Sequence, residues 1–131
     1  MPVGLLLLTH EPLASALLAA ATTVHGTAPL KVAVFELPRG ADPEHLLADA
    51  SAAMRRAEGG EEGVLILTDL AGAGPARLAR RLAQLGTPCR RVSGLSLPML
   101  LRVFNYAEQE LEELARTAAA GGRNGVVNDD A

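Results

Sequence analysis

Two polar residues each end an apolar run. His10 follows Val3-Gly-Leu-Leu-Leu-Leu-Thr9, and Asp69 follows Val64-Leu-Ile-Leu-Thr68. An unperturbed imidazole titrates near about pH 6.5, so a neutral ring nitrogen is available as a nucleophile at neutral pH. A carboxylate that accepts the Nδ1 proton fixes the tautomer and leaves the Nε2 lone pair free. Attack of Nε2 on a phosphoryl group would give a phosphohistidine, with the carboxylate stabilising the charge on the ring. The product also needs a seat. Gly72-Ala73-Gly74 allows close approach of backbone N–H groups to an anion. Helix starts at Glu11-Pro12 and Gly74-Pro75 offer unpaired N–H groups and a positive dipole end. Thr9 and Thr68 are read as further hydroxyl donors. The chemistry calls for no metal and no separate cofactor, because one histidine with one acid falls short of a ligand set.

For His10 and Asp69 to meet, the elements around them must form a particular sheet. Val3–Leu8 reads as a strand covered on both faces. A helix follows from Pro12 to the stop at Gly26, and Leu30–Phe35 is a second strand. Asp42 and Pro43 cap a helix that ends at Gly59-Gly60, and Val64–Thr68 is a third strand. Pro75 starts a helix that Gly86 stops, and Cys89–Gly94 is a fourth strand. Ser96 caps a helix from Pro98 through Phe104. A further helix runs from about Ala107 to Ala120 and is broken by Gly121-Gly122. Asn124–Asn128 is a last short strand.

Alternating strands and helices imply a mainly parallel, doubly wound α/β sheet. In the order 2-1-3-4, strands one and three are neighbours at the switch point, where such sheets bind ligands. His10 and Asp69 stand at the carboxyl ends of those two strands. His25 stands beside the Gly26 stop, where the helix C-terminus favours a cation, and His45, near a helix start, is read as a solvated residue.

Composition narrows the function. The chain has 131 residues, 12 Lys+Arg against 15 Asp+Glu, and only Phe35, Phe104 and Tyr106 as aromatics. That length fits one domain over residues 1–131. A mildly acidic chain without stacking platforms excludes nucleic-acid binding. The single cysteine, Cys89, excludes an intrachain disulfide framework and reads as a small apolar residue. No apolar run is long enough for a membrane span, and the N-terminus lacks the basic segment of a signal peptide, so a cytoplasmic location is expected.

The segments Val3-Gly-Leu-Leu-Leu-Leu-Thr-His10, Leu67-Thr-Asp-Leu-Ala-Gly-Ala-Gly-Pro75, Gly94-Leu-Ser-Leu-Pro-Met-Leu100 and Gly122-Arg-Asn-Gly-Val126 occur in register along the chain. Together they resemble the IIA domain of the mannose family of the bacterial phosphoenolpyruvate-dependent sugar phosphotransferase system. The resemblance implies a phosphoryl carrier, a phosphotransferase component. His10 would accept the group from the histidine-containing carrier HPr and pass it to a IIB protein. Asp69 would orient the histidine. The chain would touch a membrane only indirectly, through a transporter complex.

The resemblance also implies a homodimer that exchanges a C-terminal strand, here the segment near Val126 and Val127. One departure stands out: Gly74 occupies the place of the family's serine, which removes a phosphate-facing hydroxyl and leaves the backbone N–H groups. An alternative role is a regulatory phosphorelay or binding module whose partner choice follows His10 phosphorylation, without sugar uptake.

Overall fold

β1 (Gly4–His10) carries an unbroken apolar run because both of its faces are covered. Leu5 and Leu7 enter one core with Leu100, Val103 and Leu114, whereas Leu6 and Leu8 enter a second with Met54, Leu78 and Leu82. The period-two alternation of strand side chains divides them this way. Burying each such leucine contributes on the order of 1.5–3 kcal/mol, so the central strand anchors both layers.

A computed structural model describes residues 2–58 and 61–131. β1 is followed by α1 (Leu13–His25), β2 (Val32–Leu37), a 3-10 turn (Pro43–Leu46) and α2 (Leu47–Ala57). Then come β3 (Val64–Thr68), α3 (Gly74–Leu82), β4 (Cys89–Ser93), α4 (Leu97–Asn105) and α5 (Leu111–Asn124). All strand pairs are parallel, in the order β2-β1-β3-β4. α1, α4 and α5 cover one face, and α2 and α3 cover the other. The chain leaves β1 in one direction to reach β2, then crosses back to β3 on the other side. The expected switch point between β1 and β3 is therefore present.

The local chemistry explains several boundaries. Ser96 accepts the Met99 N–H and caps α4, and Asp42 accepts the Glu44 N–H at the start of the 3-10 turn. β2 runs two residues further than its sequence suggests, because its parallel partner β1 extends to His10. Glu36 thereby pairs in register with Thr9, and Leu37 with His10. β4 lies at the sheet edge with Arg90 and Arg91 exposed, a charge arrangement that discourages pairing with other chains. The expected helix end at Gly59-Gly60 lies outside the described residues.

The C-terminal region corrects two expectations. Gly121-Gly122 does not break a helix: α5 continues through both to Asn124. A Cβ at Gly121 would lie 2.6 Å from Arg102 Cβ, and one at Gly122 would lie 2.8 Å from Met99 Cε. These glycines let α5 lie close against α4. The segment expected as a last strand, Asn124–Asn128, begins inside α5, and Val126–Asn128 lie in no strand of this chain. Among the described residues no helix is long and apolar enough to cross a membrane.

Candidate functional site

The carboxyl ends of β1 and β3 bring His10 and Asp69 together. Leu8 pairs with Thr68 across the two strands, so Asp69, just past the end of β3, stands beside the last residues of β1. His10 Nδ1 lies 2.8 Å from Asp69 Oδ2, and the same oxygen accepts the His10 backbone N–H at 3.2 Å. The imidazole is half exposed (52%), whereas the Asp69 side chain is only 10% exposed. A carboxylate can only accept, so Nδ1 carries the proton and Nε2 keeps its lone pair. Asp69 Oδ1 is buried and, among the described residues, has no hydrogen-bond partner, so the bonds of this carboxylate go to His10.

The two threonines read as phosphate donors are committed elsewhere, which corrects that assignment. Both are buried. Thr9 Oγ1 donates to the His10 carbonyl at 2.8 Å and accepts the Ala14 N–H at 2.9 Å. Thr68 Oγ1 shares a 2.7 Å hydrogen bond with Ser93 Oγ. Thr9 belongs to the α1 face of the sheet and Thr68 to the α2/α3 face, so neither hydroxyl reaches the mouth.

The two helix starts differ as well. At α1, Thr9 takes the Ala14 N–H, Glu36 Oε2 takes the Ser15 N–H at 2.7 Å, and the Pro12 carbonyl takes the Ala16 N–H at 3.2 Å. Those three N–H groups of the first turn are taken. At α3 the first helical bond is from the Arg77 N–H to the Ala73 carbonyl. The N–H groups of Gly74 and Ala76 precede it and have no intrahelical partner, and Pro75 has no N–H. The loop before α3 turns at Gly72, whose φ of +79° is a left-handed conformation suited to glycine. The Ala73 N–H closes that turn on the Leu70 carbonyl at 3.3 Å. Of the Gly72-Ala73-Gly74 seat, the Ala73 N–H is thus committed, and the Gly74 N–H has no partner within α3.

Position 74 is crowded. A Cβ there would lie 3.1 Å from Leu37 Cδ2 and 3.3 Å from Pro43 Cγ. The missing hydroxyl and the close packing of Leu37 and Pro43 are therefore one feature.

Sequence reasoning missed Glu36, Ser93 and Arg77. Glu36 was legible only as a loop residue, and only the β1–β2 register places it beside Thr9. Arg77 stands in the first turn of α3, and its Nη1 reaches back to the Gly72 carbonyl at 3.3 Å. A cleft of about 890 Å³ opens at the opposite end of the sheet, among Val3, Glu62, Pro88, Arg90 and Leu111. An exposed ledge with a half-exposed nucleophile suits transfer between macromolecules better than enclosure of a small substrate. Among the described residues no three His, Cys, Asp or Glu side chains are grouped to hold a metal ion.

Residues 4–119 match the family model described as the PTS system fructose IIA component. A phosphotransferase enzyme IIA component of Escherichia coli (strain K12), YadI, is 34% identical over 106 residues, which span 81% of this chain and 71% of that protein. The mannose/sorbose specific IIA subunit of the phosphotransferase system from Enterococcus faecalis superposes with a TM-score of 0.86 at 25% identity, covering 100% of this chain and 97% of that one. The PTS IIA protein associated with the fucose utilization operon from Streptococcus pneumoniae superposes with a TM-score of 0.71 at 25% identity, covering 97% and 93%.

Proposed function

This chain belongs to the IIA-component family of the sugar phosphotransferase system, and we propose that it carries a phosphoryl group on His10 Nε2, taken from an HPr-type carrier and passed to a IIB protein or another acceptor. The observation that carries this reading is the 2.8 Å contact between His10 Nδ1 and Asp69 Oδ2. It fixes the tautomer whose free lone pair faces outward at the switch point. The Nε2 lone pair forms a bond to phosphorus as the donor's P–N bond breaks, and that electron pair stays on the donor's imidazole. Passing the group on reverses this step at the acceptor's nucleophile. Throughout, the Nδ1 proton stays on the ring, and Asp69 offsets the positive charge that the ring gains. No water is consumed, and an open site that holds phosphate through backbone N–H groups leaves substrate choice to the partners.

The reading extends to a homodimer completed by the C-terminal segment. Its support is that β4 is an edge strand, while Val126 and Val127 are 85% and 68% exposed. Sedimentation of the full chain and of a chain ending at Gly125 tests it: the first should sediment as a dimer and the second as a monomer.

The test of the carrier function is incubation with phosphoenolpyruvate, enzyme I and HPr, followed by intact-mass measurement. The expected product is one acid-labile, base-stable phosphoryl adduct, absent from His10→Ala. No adduct on the wild-type chain sinks the carrier reading, and an adduct that persists in His10→Ala refutes the site.

A further inference from the structure

The charged groups at the mouth are distributed unevenly. On the α1 side stand two carboxylates, both already accepting backbone N–H groups: Glu36 from Ser15, and Glu11 from Arg39, whose side chain is exposed on the loop after β2. On the α3 side stand the amino end of the helix and the Arg77 guanidinium, with no carboxylate bonded to the first N–H groups among the described residues. A phosphoryl group on His10 carries roughly two negative charges, so Glu11 and Glu36 repel it and the α3 side attracts it. The side-chain hydroxyls that would hold it are buried at Thr9 and Thr68 and missing at Gly74. Arg77 is exposed, and among the described residues it makes no ion pair. Its neighbour one turn on, Arg81, is by contrast paired with Glu44. The bond from the Arg77 side chain to the Gly72 carbonyl, its one hydrogen bond among the described residues, is 3.3 Å long and therefore cheap to exchange.

We infer that Arg77 is the side chain that holds the phosphoryl group on His10, supplying the donor that Gly74 lacks. This inference rests on the carrier reading of His10. The guanidinium leaves the Gly72 carbonyl and donates to two phosphoryl oxygens, while the Gly74 and Ala76 N–H groups meet the same anion from the helix end. A planar, permanently charged fork matches a phosphoryl group better than an ammonium does, so lysine replaces it only in part. Because these contacts strengthen as charge builds on the transferring group, they accelerate transfer as well as stabilise the product.

The experiment compares wild type, Arg77→Ala, Arg77→Lys and, as a control, Arg80→Ala in the last turn of α3. Each is labelled by phosphorylated HPr and separately by phosphoramidate, a small donor whose P–N bond breaks to release ammonia as the bond to Nε2 forms. Arg77→Ala should label roughly 10- to 100-fold more slowly with both donors, the scale of one lost transition-state donor. Arg77→Lys should recover part of the rate. Arg80→Ala should match wild type, and the melting temperatures of all four should agree. The ³¹P resonance of the phosphohistidine should also move between wild type and Arg77→Ala, a shift that a purely structural role would not produce.

Equal rates for Arg77→Ala and wild type overturn the inference. A defect seen with HPr alone also overturns it, because Arg77 would then touch the donor protein and not the phosphoryl group. Labelling of wild type by phosphoramidate but not by HPr removes the carrier reading, while the small donor still decides Arg77. Labelling of wild type by neither donor removes both.

Discussion

One oxygen of Asp69 holds His10 at two points: Oδ2 lies 2.8 Å from the ring Nδ1 and 3.2 Å from the backbone nitrogen. The ring and its own main chain are thus fixed to one atom on the neighbouring strand. This sets both the tautomer and the direction in which Nε2 points. It also ties the nucleophile to β3, so that the sheet register, and not a flexible loop, determines its position.

Replacing the acid by its amide tests the tautomer directly. Asp69→Asn keeps the shape but offers Nδ1 an N–H donor, which favours a proton on Nε2 and occupies the lone pair. The variant should accept a phosphoryl group at least about 100-fold more slowly, in line with the usual value of a positioned acid–base partner. Rapid-quench kinetics with phosphorylated HPr would measure it. An unchanged rate would show that Oδ2 does not set the tautomer.

Thr9 is a structural residue at a chemical address. Its hydroxyl joins the His10 carbonyl to the Ala14 N–H inside the protein. Thr9→Val keeps the volume but leaves both groups buried and unpaired, so it should cost about 1–3 kcal/mol in urea denaturation. Thr9→Ser keeps the hydroxyl and should cost much less. If Thr9→Val keeps its stability but loses phosphorylation while Thr9→Ser retains both, the hydroxyl faces the phosphate after all.

Restoring a serine at position 74 should not be free. The new Cβ meets Leu37 Cδ2 at 3.1 Å and Pro43 Cγ at 3.3 Å, and only the leucine end can yield easily. Gly74→Ser is expected to destabilise the fold by about 1–2 kcal/mol, the range of modest overpacking. Chemical denaturation should show this as a lower midpoint with an unchanged slope. A midpoint equal to that of wild type would mean that Leu37 shifts without cost.

Cys89 should be a slow thiol. Burial, and then the nearby Glu58 carboxylate, push its pKa up, while Arg90 and Arg91 pull weakly the other way. The thiolate is the reactive form, so alkylation by iodoacetamide at pH 8 should run severalfold slower than for an unstructured cysteine peptide. The linked stability has a definite sign. The folded thiol holds its proton to higher pH than the unfolded one, so this group's contribution is full below the unfolded pKa and is lost as pH rises through the folded one. Alkylation at the peptide rate would contradict the burial.

Much of the site could be read before any fold was known. His10 and Asp69 end the two most apolar runs, and the alternation of strands and helices, taken in the order 2-1-3-4, places them at adjacent strand ends. Motifs in register identified the family, and Ser96 and Asp42 act as the caps that their side chains suggest. The misreadings share a cause. Thr9, Thr68 and the Gly121-Gly122 pair were interpreted from local chemistry, in which a hydroxyl near a loop is a donor and a glycine pair ends a helix. Distant neighbours settle each case instead: α1 and Ser93 take the hydroxyls, and Arg102 and Met99 require the glycines.

The sequence by itself determined the sheet class, the strand order through its family pattern, and the His10–Asp69 pair proposed to do the chemistry. Those follow from hydrophobic periodicity and from residue types that few other roles require. Only the tertiary structure decided which helix end is open to an anion. That outcome depends on the β1–β2 register, which sets Glu36 beside Thr9 to take N–H groups of α1, while among the described residues no carboxylate does so at α3. Register is a property of two strands at once, and no single stretch of chain encodes it.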